Sequence, residues 1–107
     1  MINIDFLVLN NGELVGFNIS GHASMAECGK DIVCAAVSSA AYMTANTISE
    51  VKKVDADVIV EDDGRMFLKL KNIDIMPCRD ILLGFKLHML NLEEQYPENI
   101  IVNYLEV

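Results

Sequence analysis

Seventeen consecutive residues, 32–48, carry no charge. That stretch limits the fold more than any other feature. With Ser49 the uncharged run reaches 18, about the length that spans a bilayer. It is also rich in alanine and is interrupted by Ser38, Ser39, Thr44, Asn46 and Thr47. A buried helix is therefore expected, running from residue 32 to about residue 51. Helical spacing selects its buried stripe as Val33, Val37, Ala40, Thr44, Ile48 and Val51. Asp31, just before it, suits an N-cap, since its carboxylate can accept a bond from a backbone N–H two or three residues on.

The flanking segments alternate or turn in ways that supply a sheet for this helix to cover. Ile2, Ile4, Phe6 and Val8 occupy every second position, so residues 2–9 read as a strand. Asn10-Asn11-Gly12 reads as a hairpin turn, because Asn and Gly tolerate positive φ. Residues 14–20 form the returning strand, with Gly16 marking a bulge or a close backbone approach. Residues 21–30 read as a loop with Gly21 and Gly29 as hinges. After the helix, residues 54–60 and 66–70 pair across the Asp62-Asp63-Gly64 turn. Residues 77–96 read as a second helix, with Pro77 and Asp80 in its first turn. Ile81, Phe85, Met89, Leu92 and Tyr96 form its apolar face, and Pro97 stops it. Residues 100–107 make a last strand. The result is an α+β fold in the order ββαββαβ, a mainly antiparallel sheet with two helices packed on it.

At 107 residues the chain fits a single domain spanning 1–107. A hydrophobic share of 52% argues against disorder. The net charge of -8 would repel phosphate backbones and attract a basic partner, so no direct nucleic-acid binding is expected. No membrane contact is expected either. The three cysteines, at 28, 34 and 78, have no paired spacing, which favours a reducing compartment over a disulfide scaffold. The segment Met1-Ile2-Asn3-Ile4-Asp5 shows no basic region followed by an apolar one, so no secretion signal is expected.

The chemistry gathers around Cys34. A cysteine in the first turn of a helix lies beside unpaired N–H groups and the positive end of the backbone dipoles. That setting favours the thiolate, which attacks carbonyls. His22 lies twelve positions earlier. If the loop folds back, it meets Cys34 as proton partner. Asp31 caps the helix, with an orienting role toward His22 as a second reading. Ser38 follows Cys34 by four residues and so shares its helical face. It would bond substrate or the carbonyl four residues back. Cys28 reads as a bystander in the loop. His88 reads as a packing or surface residue. A zinc site from His22, Cys28, Cys34 and Cys78 lacks the short Cys-x-x-Cys spacing that such sites use. No metal and no cofactor are expected.

Gly21-His22-Ala23, Gly29 and Asp31-Ile32-Val33-Cys34-Ala35-Ala36-Val37-Ser38 resemble the motif of the ribosomal-processing cysteine proteases, the Prp family. The similarity covers nearly the whole chain, its length and its element order. The resemblance implies His22 and Cys34 as the catalytic pair, with Asp31, Ser38 and Gly21 supporting the site. It implies a mobile loop over residues 23–30. It also implies a cytoplasmic homodimer that removes a short N-terminal extension from a basic large-subunit ribosomal protein, cutting beside an aromatic pair. Met25, Met43 and Tyr42 are all candidates for an apolar pocket. A non-enzymatic acidic adaptor holding the same ribosomal protein is the alternative, and a redox or metal protein using Cys28 and Cys34 is a third.

Overall fold

A computed structural model describes residues 1–21, 31–62 and 64–107, with only the backbone of Asp31. Five strands form one sheet: β1 (Ile2–Val8), β2 (Leu14–Ser20), β3 (Asp57–Val60), β4 (Met66–Lys69) and β5 (Ile100–Glu106). Two helices pack on it, α1 (Asp31–Asn46) and α2 (Arg79–Gln95). The spatial order is β3-β4-β2-β1-β5. All neighbours are antiparallel except β1 and β5, which run parallel from Ile2 opposite Ile100 to Val8 opposite Glu106. The architecture is the expected ββαββαβ arrangement.

The alternation in the strands selects the face that the helices cover. Ile2, Ile4, Phe6, Phe17, Ile19, Met66 and Leu68 are all buried. Phe85 of α2 inserts between two of them, 5.7 Å from the ring of Phe6 and 4.7 Å from that of Phe17. A tilted aromatic cluster of this kind adds about 0.5–1.5 kcal/mol per pair beyond its burial. The register of β1 on β2 shifts between Leu7 and Val8. A side chain at Gly16 would strike the backbone of Leu68 and Lys69. Both readings of Gly16 therefore hold: it sits at an irregularity and under a close backbone approach.

The uncharged helix is a core helix. Val33, Val37, Ala41, Thr44, Ala45 and Ile48 are buried against the sheet. The hydroxyl of Thr44 donates to the Ala40 carbonyl at 2.8 Å, so the one buried polar side chain among the described residues is satisfied. Residues Ile32–Val51 are long and apolar enough to cross a membrane by composition alone. Here their apolar stripe faces the sheet.

Four details of the expected elements need correction. First, α1 as described runs from Asp31, which places Asp31 inside the helix rather than at its cap. Second, Val51 is 75% exposed rather than part of the buried stripe, and Ala40 is only half-buried. The cause is a π turn, Thr47–Val51, in which the Lys52 N–H donates to the Thr47 carbonyl at 2.8 Å. The wider turn breaks the 3.6-residue spacing. Third, β3 starts at Asp57, because the Val54 N–H is held by the Ile48 carbonyl at 2.9 Å and cannot join the ladder. Fourth, α2 starts at Arg79 and buries Leu82, Phe85, Met89 and Leu92, with Ile81 half-buried. Pro77 belongs to the turns that precede it.

Candidate active site

Strand β2 and helix α1 meet the same end of the sheet. Ser20, the last residue of β2, pairs with Asn3, and Gly21 follows with φ +92°. A Cβ on Gly21 would run into the carbonyl of Met1 and approach Ile2. Only glycine fits both the backbone angle and the gap. Gly21 therefore fixes where the chain leaves the sheet, immediately before His22. His22 and Cys28 themselves lie outside the described residues, as does the segment 23–30 expected to be mobile.

Cys34 is the fourth residue of α1, one position further in than an Asp31 cap would put it. It is half-buried and packs against the edge of the core between Val33 and Val37, which are 2% and 0% exposed. In an α-helix each Cα–Cβ bond tilts toward the N-terminus. That tilt carries the sulfur back toward the first turn, where N–H groups lack helical partners. Asp31 adds a carboxylate at this same helix end, where negative charge is favoured.

Ser38, one turn on, is half-buried. It lines a recess of about 40 Å³ with Ile19 of β2, Ala41 and Tyr42 of α1, and Gly64 and Met66 at the β3–β4 hairpin. Of the three candidate pocket residues, Tyr42 reaches this recess. Met43 lies instead in an open cleft between the two helices, beside His88 and Leu92, and Met25 is outside the described residues. Sequence reasoning missed Ile19, Gly64 and Met66. Ile19 and Met66 are register partners in neighbouring strands, and that pairing leaves no local trace in the sequence.

The other two chemistry-bearing residues are separate. Cys78 is fully buried at the start of α2. Burial pushes its thiol up; Lys52 pulls it down and Asp74 adds to the rise. A buried thiol with a raised pKa is a poor nucleophile. His88 is exposed on α2. Among the described residues, no group of three His, Cys, Asp or Glu side chains could hold a metal ion.

The family described as Cysteine protease Prp matches residues 1–101. The chain belongs to the Prp family of cysteine proteases. The ribosomal processing cysteine protease Prp of Staphylococcus aureus is 31% identical over 106 residues, covering 97% of this chain and 99% of the relative. The crystal structure of the S. aureus Prp protease with a substrate peptide superimposes with a TM-score of 0.88 at 28% identity, covering 98% of this chain and all of that one. Its complex with a covalently linked product peptide gives 0.86 at 29% identity, with 98% of this chain and 100% of the other covered. The Prp fold thus extends over both layers, from β1 through β5.

Proposed function

We propose that this Prp-family protease removes the N-terminal extension of a large-subunit ribosomal protein, with Cys34 as nucleophile and His22 as general acid and base. The observation that carries this reading is the half-buried Cys34 in the opening turns of α1, in a chain matching the family over residues 1–101. The S. aureus relatives held with a substrate peptide and with a covalently linked product support a peptide route through a covalent intermediate.

The chemistry proceeds in two halves. The Cys34 thiolate attacks the scissile carbonyl, and the tetrahedral oxyanion takes hydrogen bonds from N–H groups at the start of α1. Protonated His22 gives its proton to the leaving amine, and the C–N bond breaks to leave a thioester. Neutral His22 then removes a proton from water, which attacks the thioester and frees the carboxylate product and the thiolate. Gly21 sets the exit of the chain toward His22. Ser38 positions substrate beside the sulfur, and Asp31 supports the helix end.

A charge of -8 steers a basic substrate toward the protein. Action in the cytoplasm, as a homodimer and without nucleic acid or membrane, completes the proposal. The test incubates the protein with a peptide spanning the extension and reads the products by mass. Cys34→Ala abolishes the shorter product while the thermal melt stays close to that of the parent. His22→Ala lowers the rate by about 10²-fold or more. Retained cleavage by folded Cys34→Ala sinks the proposal. Binding without shortening makes the chain an adaptor.

A further inference from the structure

Among the described residues, the outer rim of β3 is an edge that no other strand covers. Its backbone pairing follows from two bonds. The Glu61 N–H donates to Arg65 at 2.9 Å, and the Leu70 N–H donates to Val15 at 2.8 Å. In an antiparallel ladder bonded pairs alternate. Odd-numbered residues of β4 therefore bond toward β3 and even-numbered ones toward β2. In β3 itself, Asp57 and Ile59 face β4. The N–H and C=O groups of Val58 and Val60 point outward.

The side chains of the same two residues lie on the helix-covered face, opposite Leu68 and Met66. Yet Val58 and Val60 are 42% and 49% exposed, because the helices stop short of this strand. An apolar ledge and a row of open backbone groups thus run side by side. The ledge ends at Met66, which lines the recess with Ser38 and Tyr42. Ser38 is about 6 Å along α1 from Cys34. The ledge therefore ends one helical turn from Cys34.

Edges like this are usually blocked by lysine, proline or a bulge. Residues 57–60 contain none of these; the strand's own charge is Asp57, opposite Lys69, Glu61 and Asp62 follow it, and the nearby Arg65 is engaged by Glu61 at 3.6 Å. An acidic rim repels a second copy of a chain with charge -8 and accepts a basic one.

We propose that the N-terminal segment of the substrate, a basic ribosomal protein, docks as an added strand on the outer edge of β3, hydrogen-bonded to Val58 and Val60, and is delivered past Ser38 to Cys34. This rests on the protease reading and adds the surface that recognises the substrate. Four residues of β3 span about 13 Å, so the edge engages about four substrate residues. Main-chain bonds supply affinity, and the ledge selects apolar side chains at alternate positions.

Proline at an outward-facing edge position removes a donor without breaking the inner ladder. Val58→Pro and Val60→Pro therefore each raise KM for the extension peptide about fivefold, with kcat unchanged. Val58→Thr, which keeps the donor, has a smaller effect. Asp62→Lys, which leaves the strand untouched, raises KM and weakens its dependence on salt. Melting curves and the rate of Cys34 alkylation confirm intact folds. On the Cys34→Ala protein saturated with peptide, hydrogen exchange slows at the amides of Val58 and Val60 and not at Ile59. An unchanged KM in folded proline variants overturns the docking edge and leaves the protease reading standing. So does a proline variant that loses only self-association. If the parent protein never cuts the peptide, the protease reading fails. The exchange pattern still decides the edge: protection at Val58 and Val60 upholds it, and its absence overturns it.

Discussion

Gly21 carries more of the site than its size suggests. Its φ of +92° and the Met1 carbonyl beside it leave no room for a Cβ. Gly21→Ala forces the backbone to shift and costs about 1–3 kcal/mol, read as a lower Tm. It also moves the point from which His22 departs, so kcat falls. A stable variant with full kcat would refute the positioning role. Cys78 gives a test of opposite character. Its thiol lies above the ordinary 9.0 because burial disfavours the thiolate, outweighing Lys52. Below pH 9 both folded and unfolded chains hold that proton, and the contribution is fully present. As pH rises past 9, the unfolded chain loses the proton first, so folding stability falls until the folded-state value is passed. Urea melts between pH 7 and 10 show a steeper alkaline decline for the parent than for Cys78→Ala. Equal slopes would remove that thiol from the account. At this scale Cys34, Asp31, Ser38 and His22, the residues of the proposed site, stand in the sequence as one linear pattern, read from their spacing to a helix start. The sequence did not announce Ile19, Gly64 or Met66, which join Ser38 only through strand pairing.

Element types were readable because each strand and helix carries its own period and its own turn. Asn11-Gly12 and Gly64 mark two hairpins, and both glycines adopt positive φ. Boundaries were readable only where a local rule sets them. The end of α1 escaped because its stop is unusual. Thr44 and Thr47 hydroxyls donate to the carbonyls of Ala40 and Met43, the helix widens into the π turn, and Lys53 takes φ +58° where glycine is the common choice. None of the three has a sequence hallmark. The same turn explains the exposure of Val51 and the shortness of β3.

At the scale of the molecule, two layers were legible and their order was not. Periodicity tells which face of a strand is buried; it does not tell which strand lies beside it. The parallel pairing of β5 with β1 is the case in point, because it is set by α2 carrying the chain back across the sheet. Lys86 lies 5.1 Å from the ring of Tyr104, and the Glu93 carboxylate accepts the Val102 N–H at 2.8 Å, fixing α2 over β5. Because β5 runs alongside β1, Val107 emerges next to Val8, while Gly21 sits next to Met1. Seven residues of strand, about 23 Å, separate the two rims. A fluorescent protein or a surface tether fused behind Val107 would therefore hang from the rim opposite the cutting machinery, and an immobilised enzyme built that way would keep its turnover.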